Sequence, residues 1–247
     1  MNKKLIDKSP NHQSLTRIKY LMENINSLQR MANSDGMDEC YKIIKKKCPH
    51  LKVHEFKPGT KAGDWTVPKN WKLSDSFLKD DKGKIIASSK ESHLFVSPNS
   101  KSVDKKITGE KIIKKTMFLE KITDAFLLNH KHTYNYHLRQ KDWGISLPYN
   151  RVKEISKNKK YHISIKTDLS NEPMKVGELF IKGKVNKIIC ISAHIDELCN
   201  DDLSGSVAAI ELYERLKKKQ NYFSYQILLF PELYGPLFYI TRFPTKI

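Results

Sequence analysis

The feature that most constrains the fold is a succession of apolar and amphipathic segments between residues 188 and 230. Residues 188–193 form a short apolar run, residues 203–219 carry apolar side chains at helical spacing, and residues 226–230 form a second apolar run. Two such runs around an amphipathic helix are typical of a βαβ unit. Because these crossovers join parallel strands, the segment predicts a parallel sheet that is buried on both faces.

Side chains able to bind a metal cluster after both predicted strands and in the loop before the helix. They are His194, Asp196, Glu197, Asp201, Asp202 and Glu232. In open α/β sheets, ligands bind beyond the carboxyl ends of the strands, so these side chains are expected to share one edge. An imidazole with carboxylates is a ligand set for catalytic zinc, which keeps one position for water. A free glutamate beside such a metal can accept the proton of that water.

The chain before this unit divides into two regions. A tail over residues 1–10 is predicted to be disordered, one helix starts at a Ser14 cap, a break falls at residues 33–36, and a second helix covers about 37–47. Residues 57–150 indicate a β-rich unit, with a turn at residues 80–83 and a helix near 108–121. Trp65, Trp71 and Trp143 are expected in its core.

These patterns together predict an α/β fold with a parallel or mixed sheet flanked by helices. Residues 14–56 and 151–247 are expected to form this domain, and residues 57–150 a small inserted β-rich domain. The Ser204-Gly205 pair is expected to let the loop turn closely into the helix.

The net charge of +18 raises the question of nucleic-acid binding. Only six of the 45 basic residues are arginine, the side chain best suited to bidentate phosphate and guanine contacts. The lysines are spread along the chain, which favours a solvated basic surface over a nucleic-acid binder.

Membrane insertion and secretion are also disfavoured. The longest apolar stretch, residues 222–230, is far shorter than the roughly 20 residues of a membrane helix. The amino terminus lacks the apolar run of a signal peptide. The four cysteines contain no C-x-x-C pair, so free thiols and a cytoplasmic location are expected.

The motifs resemble those of a known enzyme family. The phrases SAHID, NDDLSG and a strand ending in glutamate are similar to the H-x-D, D-D/N-x-S-G and E-E pattern of the co-catalytic zinc aminopeptidases. The phrase KPGTKAGDWTVPKNW at residues 57–71 and Trp143-Gly-Ile-Ser146 resemble a bacterial aminopeptidase-like branch, often found with surface-polysaccharide genes. That branch carries a small inserted domain, and the resemblance covers about residues 15–240.

The resemblance implies a role for each site residue. His194 and Asp201 would bind zinc, Asp196 would orient His194, and Glu232 would be the general base in hydrolysis of an amide bond. The substrate would be a peptide or an amino-acyl compound whose free amino group is recognised by acids. Asp202 is then expected to cap the helix.

Three departures from the family pattern stand in the sequence. Leu233 occupies the place of the second, metal-binding glutamate, and H-I-D-E-L replaces the H-I-C-H-P common in the closer branch. The family also supplies a later aspartate and histidine beyond Ile247, so a truncated chain is expected. A non-catalytic binding or assembly module of the same fold is therefore the alternative function.

Other readings of single residues stay open. His194 could be an ordinary polar residue at a strand end, and Glu232 could belong to a solvated turn. Cys199 could be a thiolate ligand, although a small buried filler fits it better. A second metal site at His130, His132 and His137 is disfavoured, because no acidic residues stand near them.

Overall fold

A computed structural model describes residues 12–129, 142–199 and 201–244. The predicted tail and the three clustered histidines lie outside these residues. In chain order the elements are α1 (His12–Ile25), α2 (Asp35–Lys47), β1 (Lys52–Phe56), β2 (Lys61–Ala62), β3 (Trp65–Thr66), β4 (Asn70–Leu73), β5 (Phe77–Lys79), β6 (Ile85–Ser88), β7 (Val103–Thr108), α3 (Gly109–Lys114), β8 (Thr116–Met117), β9 (Ile145–Ser146), α4 (Tyr149–Val152), β10 (Lys160–Ile165), β11 (Thr167–Ser170), β12 (Met174–Ile181), β13 (Ile188–His194), α5 (Leu203–Leu216), β14 (Ser224–Phe230) and α6 (Tyr234–Arg242).

The first sheet has the strand order β1-β12-β14-β13. β13 and β14 are parallel and joined through α5, as the sequence predicts, whereas the other two pairings are antiparallel. Alternate side chains of β14 enter different cores. Ile227 and Leu229 pack with α1, α2 and α5, whereas Leu228 and Phe230 pack with α6. The predicted α/β fold with a mixed sheet flanked by helices is confirmed.

The predicted burial of the sheet on both faces is wrong for β13. This strand is at the edge of the sheet, and the side chains of Ile188, Ile189 and Cys190 are exposed. An apolar run of this length looks the same in sequence whether or not the strand is covered, which explains the error.

The amino-terminal helices differ in their bounds from the predictions. α1 starts before Ser14, which is buried inside the helix and is not its cap. The helical spacing of apolar residues continues to Met31, but α1 ends at Ile25. The cap of α2 is Ser34, whose hydroxyl accepts a hydrogen bond from the backbone N–H of Met37.

A second four-stranded sheet has the order β6-β5-β10-β7, and β4 pairs with β11. β10 and β11 follow residue 150, yet their partners belong to the predicted insertion. The strands that pair with the 57–150 segment therefore continue past the predicted boundary at residue 150. By strand pairing, the β-rich unit extends to Ser170. The division of the chain into two domains stays a prediction.

Local predictions in this region are met in part. The turn at residues 80–83 joins β5 to β6, with Gly83 at a φ of 86°. Trp71 and Trp143 are buried, but Trp65 is 37% exposed and its ring contacts Tyr234 of α6. Across the described ranges, no helix combines the length and apolarity that a membrane span requires.

Candidate metal centre

Two strand ends bring three of the predicted site residues together. His194 is the last residue of β13 and pairs with Phe230 at the end of β14. The Asp196 carboxylate accepts a hydrogen bond from the backbone N–H of Glu232 at 2.8 Å. This bond joins the chain after β13 to the chain after β14, so both segments lie at one edge of the sheet.

Asp196 lies beside the His194 ring. Nδ1 of His194 is 3.7 Å from Oδ1 of Asp196 and is buried without a hydrogen-bond partner. Asp196, with the negative charges of Asp202 and Glu232 nearby, raises the pKa of His194 against the effect of burial. With Nδ1 turned toward Asp196, Nε2 is the nitrogen left for an external ligand.

Asp202 is held by a buried arginine. Its Oδ1 accepts a hydrogen bond from Nη1 of Arg30 at 2.8 Å, and its Oδ2 accepts one from the backbone N–H of Glu197 at 2.8 Å. Arg30 is 0% exposed and also donates to the carbonyl oxygens of Ile195 and Cys199. Arg30 thus fixes the loop that follows β13.

The predicted cap on α5 is only half correct. Asp202 occupies the cap position, but its side chain makes no hydrogen bond to the start of the helix. Its carboxylate is instead used by Arg30 and Glu197. Gly205 also differs from the prediction that it allows a close turn. A Cβ atom built at this position would have no described atom outside the local backbone within 4 Å, so close packing does not require a glycine there.

Glu197 and Asp201 form a second acidic pair. Glu197 is 2% exposed, and neither of its carboxylate oxygens has a hydrogen-bond partner of normal geometry among the described residues. Burial, followed by the neighbouring Asp201 carboxyl, raises the pKa of Glu197 to about 8. Asp201 itself is exposed.

The turn that carries Glu232 is tight. The backbone N–H of Gly235 donates to the carbonyl of Pro231 at 2.8 Å, and a Cβ at Gly235 would collide with Phe230. Leu233 has a φ of 62°, and its side chain is 50% exposed. Leu233 therefore presents an apolar side chain to solvent directly after the proposed base.

The residues present fit a divalent cation. Nitrogen and oxygen atoms of His194, Asp196 and Asp202 all lie within 4.8 Å of one another. Asp202, and not the predicted ligand Asp201, belongs to this group, although its two oxygens also accept hydrogen bonds from Arg30 and from the Glu197 backbone. Glu197 adds a buried carboxyl group that receives no hydrogen bond of normal geometry from the described residues.

Sequence reasoning missed Arg30, and it listed Glu197 among the side chains able to bind a metal without assigning it a specific role. Arg30 is 165 positions before Ile195, so no local motif joins it to the site. One signal was available: an arginine within an apolar helical pattern is costly to bury and needs a partner.

A family model described as a domain of unknown function, DUF4910, matches residues 19–247. The chain belongs to the DUF4910 family.

Two relatives of this DUF4910 chain come from Clostridium acetobutylicum. One is named as a polysaccharide biosynthesis protein with an aminopeptidase-like domain and is 29% identical over 229 residues, which are 92% of this chain and 51% of that protein. The other is a crystal structure described as a peptidase, with 29% identity and a TM-score of 0.83, covering 94% of this chain and 54% of that one. The DUF4910 chain thus spans about half the length of these relatives.

A more distant structure shows the fold alone. A zinc aminopeptidase from Bacillus subtilis is 15% identical to this DUF4910 chain, with a TM-score of 0.52 over 91% of this chain and 64% of that one. The architecture is therefore shared with a zinc aminopeptidase.

Proposed function

We propose that this protein is a zinc-dependent, aminopeptidase-like hydrolase of amide bonds. The observation that carries the proposal is the hydrogen bond from the backbone N–H of Glu232 to Asp196. That bond ties the proposed base to the carboxylate beside His194, so an imidazole and an acid–base group share one edge of the sheet.

Each residue of the site has a role in this proposal. His194 and Asp201 would hold the zinc, with Nε2 of His194 as its ligand atom. When bound, zinc supplies a Lewis acid for the substrate carbonyl and lowers the pKa of a bound water. Asp196 keeps the imidazole in position, and Glu232 accepts the proton of the attacking water.

The substrate class follows from the surplus of carboxylates. Asp201 is exposed and lies next to Glu197, so negative charge is accessible to solvent beside the site. A free amino group on a peptide or amino-acyl compound would be attracted there. The names of the relatives as an aminopeptidase-like protein and a peptidase support this class. A cytoplasmic location belongs to the proposal, since all four cysteines are free.

Zinc content tests the proposal. We expect the purified chain to bind zinc and His194→Ala to lose at least about 100-fold in zinc affinity, because removal of a ligand costs more than removal of its supporting residue. Hydrolysis of an aminoacyl p-nitroanilide should fall with it. His162→Ala, which alters a histidine paired with Asp104 away from the site, should change neither. Zinc content equal in wild type and His194→Ala would refute the proposal.

Leu233 favours the second candidate, a binding or assembly module without catalysis. Its apolar side chain stands where the resembled family has a metal-binding glutamate, so the site has one carboxylate fewer after β14. This candidate predicts zinc binding that depends on His194 but no hydrolysis of aminoacyl p-nitroanilides, either before or after Leu233→Glu.

A further inference from the structure

Glu197 is the unusual group of the site. Its side chain is 2% exposed, and both carboxylate oxygens are buried without a normal hydrogen bond from any described residue. Burying an ionised carboxylate without a partner is costly, so such a group takes up a proton or binds a cation. A cation bound beside Glu197 would displace the proton that its raised pKa favours and would pair the charge.

The groups that act on Glu197 within the described part of the chain are all acidic. Among its described neighbours, the side chains that act on it are those of Asp201, Glu232 and Asp202, which are all acidic. Arg30, the nearby buried cation, is engaged by Asp202 and by two carbonyl oxygens of the loop. No basic side chain of the described residues is therefore among the groups that act on Glu197, and a bound cation would supply the missing positive charge.

The backbone holds Glu197 where a ligand is needed. Its N–H donates to Oδ2 of Asp202, and Asp202 is fixed in turn by Arg30. The residue lies one position after Asp196 and is therefore anchored at the same strand end as His194. Burial limits its contact with a large substrate, so a small ion fits the position better than a substrate group does.

We propose that Glu197 is a metal-binding residue which, together with Asp201, holds a divalent cation at this edge of the sheet. The inference rests on the proposed metal-dependent function and deepens it. Glu197 would supply, from the loop after β13, a carboxylate that Leu233 does not supply after β14. Hard oxygen ligands of this type suit zinc, manganese and magnesium.

Calorimetric titration of the full chain with Zn²⁺ and separately with Mn²⁺ tests the assignment. Glu197→Gln keeps the shape of the side chain and removes its charge, and we expect metal affinity to fall at least about tenfold. Glu178→Gln is the matched control, because Glu178 is also buried but already bonds His54 and Gln226. Its metal affinity should equal that of the wild type.

A second measurement guards against a folding artefact. The melting temperature of the metal-free protein should not fall in Glu197→Gln, whereas the rise in melting temperature on adding Zn²⁺ should shrink. If the glutamine variant does not fold, Glu197→Leu, which is apolar and of similar volume, serves the same comparison.

The outcomes separate this inference from the proposed function. Wild-type affinity in Glu197→Gln, with binding lost in His194→Ala, overturns the role of Glu197 and leaves the hydrolase proposal standing. Binding lost in Glu197→Gln but kept in His194→Ala supports Glu197 and refutes His194 as a ligand. A wild-type chain that binds neither Zn²⁺ nor Mn²⁺ overturns both.

Discussion

At the scale of single residues, the site depends on a side chain far from it in sequence. Arg30 joins the segment between α1 and α2 to the loop after β13 through Asp202 and two backbone carbonyls. Because the Arg30 side chain is buried, its charge is costly to desolvate. Removing Arg30 would cost still more stability, since it would leave the Asp202 carboxylate buried without a partner.

We predict that Arg30→Met destabilises the fold by about 3–5 kcal/mol, because the Asp202 carboxylate would be left buried without its cation. Urea unfolding at pH 7 measures the loss. Adding Asp202→Leu to Arg30→Met should recover part of it, since the unpaired charge is then gone. Equal stability of wild type and Arg30→Met would contradict the structural role of the pair.

The sequence predicted which residues surround the site better than it predicted their contacts. His194, Asp196 and Glu232 follow two neighbouring strands, so the rule for strand ends was enough to group them. The sequence assigned the metal to Asp201 and the helix cap to Asp202, but it could not show that Arg30, 172 positions away, binds the Asp202 carboxylate.

At the scale of elements, a bidentate ion pair ties α4 to the turn after β6. Both guanidinium ends of Arg151 contact Glu91, and Nη1 also donates to the carbonyl of Ile86 at 2.8 Å. The hydrogen bonds from Arg151 hold the pKa of Glu91 below its usual range. Because the pKa of Glu91 is lower in the folded protein, the ion pair stabilises the fold at pH values above about 4.3, the pKa of an unfolded glutamate. This stabilisation is lost as the pH falls through the pKa of Glu91 in the folded protein.

We therefore predict that Glu91→Gln lowers the unfolding free energy by up to about 1 kcal/mol at pH 7, a modest value because the pair is partly exposed. The gap between the two proteins should close in urea titrations as the pH falls below about 4. Glu154→Gln, at an exposed glutamate nearby, should leave stability within about 0.5 kcal/mol at both pH values.

Element type was easier to predict than element ends. The turn at residues 80–83 and the α5 crossover follow from local chemistry, namely glycine with a positive φ and helical apolar spacing. The end of α1 at Ile25 does not follow from local chemistry. The residues after Ile25 leave the helix, and Arg30 and Asn33 bond partners in distant segments of the chain.

At the scale of the whole molecule, pairing between distant strands determines which sheet a strand joins, which local sequence patterns do not predict. β10 was expected in the α/β domain because it directly precedes that domain's strands, yet it pairs with β5 and β7. A strand of alternating residues fits either sheet, and only packing of the complete chain selects one.

The cysteines give a test of that packing. Cys40 and Cys48 are buried, which raises their pKa values to about 12 and about 11, whereas Cys190 is exposed. We predict that a thiol reagent such as DTNB reacts first with Cys190 in the native protein and reaches Cys40 and Cys48 only after unfolding. Cys190→Ser should remove the fast phase, and rapid reaction of three or four thiols in the native state would contradict the fold.

The open edge of the first sheet has a consequence for how copies of this protein behave in concentrated solution. Among the described strands β13 has no neighbour on its outer side, and it exposes two isoleucines, features to which a strand of a second copy can add. Coulomb repulsion between molecules of charge +18 opposes that approach. Because dissolved salt shortens the reach of this repulsion, we expect self-association to become easier as the ionic strength rises.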